Sequence, residues 1–171
     1  NFVDKIVSSK VYTDTVIPRI RYIGKSICAA ISDQEIIYYE GAEIPEEKNT
    51  VILDAEIESV FWGDSRVGIV TLGDDTTAEN EEEAGRYRVN LYDTSGKQIL
   101  SRKTDLEYSQ VKLSGKYLIL YNENECEIYN EKGILKYKGS FDSVIADLYK
   151  GNGHNKFVLV FSDRTETIRL Q

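Results

Sequence analysis

The densest concentration of chemistry in the 171 residues is the run Asp74-Asp75-Thr76-Thr77-Ala78-Glu79-Asn80-Glu81-Glu82-Glu83. Its carboxylates could supply oxygen ligands to calcium or grip a basic partner. The run lacks the Asp-x-Asp-x-Asp-Gly spacing of an EF-hand loop, and blocks of like charge are ordinarily solvated. Asp74, Asp75, Glu79, Glu81, Glu82 and Glu83 are therefore metal candidates on residue type alone. Isolated acids recur in short polar turns at Asp33, Glu123 and Asp163 and are candidate partner contacts. The single histidine, His154, lies in the turn Gly-Asn-Gly-His-Asn-Lys. A general base needs an orienting carboxylate and a nucleophile beside it, so His154 reads as a loop residue. One histidine and two distant cysteines do not make a zinc site. Cys28 and Cys126 each sit inside an apolar run and read as buried thiols. Nothing in the sequence calls for a cofactor. Carboxylates are abundant enough that a glycosidase-like or lyase-like enzyme remains an alternative, although the lone Trp62 reads as core and offers no sugar-stacking platform.

The formal charge of −8 and isoelectric point near 4.8 exclude the clustered cations that nucleic acid or an anionic lipid surface requires. No stretch approaches the roughly 20 apolar residues of a membrane helix, so this segment does not insert directly. The sequence contains no methionine, which creates the expectation that something was removed ahead of Asn1, either a targeting or anchoring segment or an expression tag.

The elements that must carry these residues repeat. Ile27-Cys28-Ala29-Ala30-Ile31 precedes Ser32-Asp33, Ile69-Val70-Thr71-Leu72 precedes Gly73-Asp74, Leu118-Ile119-Leu120-Tyr121 precedes Asn122-Glu123, and Val158-Leu159-Val160-Phe161 precedes Ser162-Asp163. Three copies continue to a tyrosine and a glycine turn: Tyr39-Glu40-Gly41, Tyr92-Asp93-Thr94-Ser95-Gly96 and Tyr129-Asn130-Glu131-Lys132-Gly133. A period of about 40 residues is that of four-stranded propeller blades. The second strand of each unit is apolar on both faces, which demands cover on both sides, as stacked blades provide. The expected fold is all-β: four four-stranded antiparallel blades, at about 16–54, 55–103, 104–140 and 141–171, in one domain, with an acidic insertion at 74–85. Strands within a blade are a, b, c and d from the axis outward. The fourth unit lacks a d strand, and residues 3–12 read as an extra extended segment. The expectation is that this N-terminal strand pairs with Thr165–Leu170 and closes the ring; a fragment of a larger ring, or two chains completing an eight-bladed one, stay open.

The hairpin text of residues 87–100, Tyr-Arg-Val-Asn-Leu-Tyr-Asp-Thr-Ser-Gly-Lys-Gln-Ile-Leu, resembles the c–d hairpin of WD40-like and quinoprotein-type propellers. The Gly-His and Trp-Asp marks of WD40 repeats are missing. The opening Val16-Ile17-Pro18-Arg19-Ile20-Arg21-Tyr22-Ile23-Gly24-Lys25 is similar to membrane-anchored propeller-like proteins of Gram-positive bacteria. That resemblance implies an extracytoplasmic location, an anchor upstream and no particular activity. The b–c and d–a connections collect acids, while the a–b and c–d turns collect lysines such as Lys25, Lys97, Lys116 and Lys132. The functional expectation is a non-catalytic binding or scaffold propeller that meets a protein or other cationic partner through its acidic connections.

Overall fold

The computed structural model describes residues 9–13, 15–73 and 85–170, and every regular element among them is a strand. Blade 1 is β1 (Arg19–Tyr22), β2 (Ile27–Ile31), β3 (Glu35–Glu40) and β4 (Glu46–Ile52). Blade 2 is β5 (Ile57–Gly63), β6 (Arg66–Leu72), β7 (Tyr87–Tyr92) and β8 (Gln98–Thr104). Blade 3 is β9 (Gln110–Ser114), β10 (Tyr117–Tyr121), β11 (Glu125–Tyr129) and β12 (Leu135–Ser140). Blade 4 is β13 (Ile145–Lys150), β14 (Lys156–Phe161) and β15 (Thr165–Arg169). Each sheet is an antiparallel meander in chain order.

Alternation along the b strands explains why both of their faces are apolar. On β6, Val67 and Ile69 pack toward blade 1, while Val70 packs toward blade 3. On β10, Leu118 and Leu120 pack on blade 2, while Ile119 and Tyr121 pack on blade 4. Successive side chains point to opposite faces, so each b strand serves two interfaces at once. The core is accordingly three apolar layers, one between each pair of consecutive blades. Cys28 and Cys126 are buried free thiols, and Tyr38 and Tyr39 point to opposite faces of blade 1 as adjacent strand residues must.

The c–d turns follow their side-chain chemistry. The Asp93 carboxylate accepts from the backbone N–H of Ser95 at 2.8 Å and of Lys97 at 3.1 Å, and Asn130 does the same for Lys132 and Ile134 at 3.0 Å each. Gly96 and Gly133 close these turns at φ +81° and +74°, where a Cβ is disfavoured. Asp74 to Ala84 lie outside the described residues, but the hairpin around them is closed at its base by the Gly73 N–H donating to the Arg86 carbonyl at 2.7 Å.

One expectation needs correction. The described part of the N-terminal segment does not complete blade 4, because Lys10 pairs with Glu47 and the Tyr12 hydroxyl bonds that of Tyr39, both on blade 1. Among the described residues blade 4 is a three-stranded sheet, and the array is not closed. Its described residues are held to blade 1 by polar groups, with Tyr12 half-buried and Val11 exposed, so nothing in their pattern directs them to the far edge. The outermost strand of blade 1, β4, begins at Glu46. Glu46, Glu47, Lys48 and Asn49 look like loop residues because this outermost strand is wet on most of its surface.

Candidate functional site

The b–c turns and d–a connections emerge at one end of the meander and are bonded to each other. Asn122 donates through its amide to the Glu107 carbonyl at 3.0 Å, Asn124 to the Phe141 carbonyl at 3.1 Å, and the Ile145 N–H to the Glu123 carbonyl at 2.7 Å. Arg86 pairs with Glu107, and its N–H donates to Asp105 at 3.0 Å. Arg164 spans from Asp163 to Glu166 and to the Ser143 hydroxyl. Asp33, Glu123 and Asp163 hold equivalent places in the b–c turns of blades 1, 3 and 4, and all three are exposed. Asp74, Asp75, Glu79, Glu81, Glu82 and Glu83 lie outside the described residues. Among the described residues no three His, Cys, Asp or Glu side chains are grouped for a metal ion. His154 is exposed in the turn between β13 and β14.

Three concave features lie near this framework. A concavity of about 400 Å³ opens where the inner strands of blades 1, 2 and 3 meet this end. It brings Asp33 and Glu58 onto one surface with Arg19, Tyr108 and Gln110, and Tyr108 donates to the Ser59 hydroxyl at 2.8 Å. A second, of about 540 Å³, runs between β4 and the outer half of blade 2, lined by Val51, Asp54, Arg88, Asn90, Tyr92 and Ser101. Asn90 is only 7% exposed, and its Oδ1 has no hydrogen-bond partner. The third, of about 410 Å³, lies between the N-terminal segment and blade 1 and is mainly apolar, with Tyr12, Ile17, Ile20, Tyr22, Cys28 and Tyr39 among its walls.

Sequence reasoning passed over two ionised groups set between blades. Glu127 is 4% exposed on β11 and accepts from Thr104 of blade 2 at 2.7 Å, from the Tyr129 hydroxyl at 2.6 Å and from Lys138 at 2.9 Å. Burial opposes its ionisation, but those three hydrogen bonds and the Lys138 charge outweigh it and hold the carboxyl below its ordinary value. Asp147 on β13 pairs with Lys112 and accepts from Tyr121 at 3.1 Å across the interface of blades 3 and 4. Burial and the adjacent Asp147 push the Tyr121 hydroxyl up to about 12. The available signal was an acid inside an apolar strand, Cys126-Glu127-Ile128, where alternation turns the acid onto a covered face.

A model of a family of unknown function (DUF5711) matches residues 1–170, and the chain belongs to that family. No curated protein matches the sequence significantly. Solved structures establish the fold as a propeller-type blade array. BBS1N, solved in complex with ARL6DN, superposes at TM-score 0.56 and 14% identity over 94% of this chain and 53% of its own. The computationally designed Ika4 protein gives 0.59 at 12% identity over 99% of this chain and all of its own. The WD40 domain of Neurospora crassa Pan2 gives 0.50 at 12%, over 89% of this chain and 48% of its own. The chain thus spans about half the length of BBS1N and of the Pan2 domain.

Proposed function

We propose that the chain is a non-catalytic binding module that presents the end carrying its b–c turns and d–a connections to a basic protein. The observation that carries this reading is the cross-bonding of those connections through Asn122, Asn124 and Arg86, which fixes Asp105, Glu107, Glu123 and neighbouring acids in one framework. The a–b and c–d turns at the other end hold Lys25, Lys97, Lys116 and Lys132 among fewer acids. Such a field speeds and orients encounter with a cationic surface and weakens with salt. The test is titration with a lysine-rich polypeptide at low and high salt. Neutralising Asp33, Glu123 and Asp163 together to amides should weaken binding, and replacing Lys97 and Lys132 by glutamine should not. Equal effects of the two sets would refute it.

The placement outside the cytoplasm, behind an upstream anchor, rests on the resemblance of residues 16–25. A phosphatase reporter fused to the full natural protein should be active only if that side of the membrane is correct. A carbohydrate-active site is the second reading, favoured by Asp33 and Glu58 sharing one concavity. It requires turnover of a glycoside that both Asp33→Asn and Glu58→Gln abolish.

A further inference from the structure

The groove between β4 and blade 2 is built on the face of β7 that carries Arg88, Asn90 and Tyr92 at alternate positions. Ser101 pairs with Asn90 across the sheet, and Val51 and Leu53 of blade 1 form the facing wall. The groove has two distinct ends. Thr71, which pairs with Arg88, and Asp54, which follows β4, stand where the b–c turns and d–a connections emerge, while Gly96 and Gln98 line the other end. Its volume of about 540 Å³ lies in the range of small-molecule sites.

The polar groups on this face lack the partners that the next interface supplies. Between blades 2 and 3, Tyr129 donates to the Glu127 carboxylate at 2.6 Å and Lys138 pairs with it. Tyr92 is the counterpart of Tyr129 and Asn90 of Glu127, because each tyrosine follows the register shift of its own c–d pairing. Among the described residues the Tyr92 hydroxyl makes no hydrogen bond, and Arg88 and Asp54 have no ion-pair partner. Both charges nevertheless address one point: burial raises the Tyr92 hydroxyl, Asp54 raises it further and Arg88 lowers it. Opposite charges that share a gap without pairing with each other fit a molecule that carries both signs. Beneath them the Asn90 Oδ1 is unsatisfied, and the soft χ2 of asparagine lets it turn to a donor in the groove.

We infer that the groove binds a free α-amino acid, its carboxylate on Arg88 and the Tyr92 hydroxyl, its ammonium on Asp54 and the Asn90 carboxamide, and its side chain along Val51 toward Gly96. The ligand carboxylate then supplies Tyr92 with the kind of acceptor that Glu127 gives Tyr129 in the next interface. Charge-assisted hydrogen bonds at both ends of the head group hold it more strongly than neutral ones would. A simple carboxylic acid or amine answers only one of the two charges and leaves the other without a partner. The site lies wholly between blades 1 and 2, so it depends on neither end of the array.

Isothermal titration calorimetry of the full chain with each of the common L-amino acids tests this. At least one should bind. The amide of the best binder, which lacks the carboxylate, and its N-acetyl derivative, which lacks the ammonium, should each bind at least about tenfold more weakly, as the loss of a charge-assisted hydrogen bond does. Arg88→Gln and Asp54→Asn should each weaken binding of the free amino acid by a similar factor. Asn90→Leu fills the groove floor and should abolish binding. Thermal melts confirm that each variant is folded, and Ser101→Phe serves as the filling variant if Asn90→Leu is not. Failure of every amino acid to bind at millimolar concentration overturns the inference. So does a derivative that binds as well as its parent, or an affinity that the Arg88 and Asp54 variants leave unchanged.

Discussion

Interfaces 1–2 and 2–3 use the same register positions and reach opposite outcomes. In the second, Glu127 of β11 meets Thr104 of β8 and Lys138 of its own sheet, and its carboxylate oxygens are satisfied, while Arg102 Nε beside Tyr129 is left without a partner. In the first, Asn90 holds the place of Glu127, as its pairing with Ser101 matches that of Glu127 with Lys138. By the same register Leu53, whose N–H bonds the Gln34 carbonyl, holds the place of Thr104, which pairs with Tyr87. A shorter side chain with no donor opposite leaves Oδ1 unsatisfied and opens the groove beside β4. Two substitutions separate a tether from a cleft.

The sharpest break of this contrast is Glu127→Ala, which strands the hydroxyls of Thr104 and Tyr129 at a covered interface and leaves the exposed Lys138 ammonium to water. A loss of about 2–3 kcal/mol is expected in urea unfolding, the range for leaving buried hydrogen-bonding groups unpaired. A loss indistinguishable from that of a surface substitution would show that the cluster is solvated. Its pH dependence follows from the direction of the shift: a carboxyl held below its ordinary 4.5 adds stability above that pH and loses it as pH falls through the lower folded value. Wild type should therefore lose more stability than Glu127→Gln on acidification below 4.5.

A smaller loss, about 1–2 kcal/mol, is expected from Gly96→Ala, where the left-handed φ of +81° is reinforced by crowding. A Cβ there would lie 2.5 Å from Asn49 Nδ2 and 3.0 Å from Val51 Cγ2. Gly133→Ala, at a similar φ but with its nearest neighbour 3.6 Å away on Leu100, should cost less. Chemical unfolding of both variants isolates the crowding. The mildest change is Asn90→Leu, which removes the orphan oxygen and fills part of the groove, giving a gain of up to about 1 kcal/mol in thermal unfolding. A loss instead would mean that Asn90 is held by water at the groove floor. The pair Leu53→Thr with Asn90→Glu should then leave interface 1–2 more stable than the sum of its single changes.

Most of the strand plan was legible, because turn chemistry and two-faced apolar b strands are local signals: Asp93, Asn130 and the glycines that follow them announce their turns unaided. The direction in which residues 9–12 would run was not legible, since an extended segment carries no mark of which blade it will meet. Glu127 was hidden for a related reason. Its worth depends on Thr104 and Lys138, residues that no spacing rule ties to it. The turn acids Asp33, Glu123 and Asp163 were visible as a repeated position, and their setting among the d–a connections appeared only with the hydrogen bonds that join the two sets.

The three apolar layers join only consecutive blades, so cooperativity passes along the array as it does along a row of repeats, one neighbour at a time. Opening should then begin at the least well-joined layer and leave the remainder intact. Amide exchange in blade 1 would report detachment of that blade, while the amides of β10 and β11, covered on both sides, would exchange only with the unfolding of the central blades. The polar mismatch between Asn90 and Leu53 thus becomes a boundary between two foldons, a hinge in stability where the sheet geometry shows none.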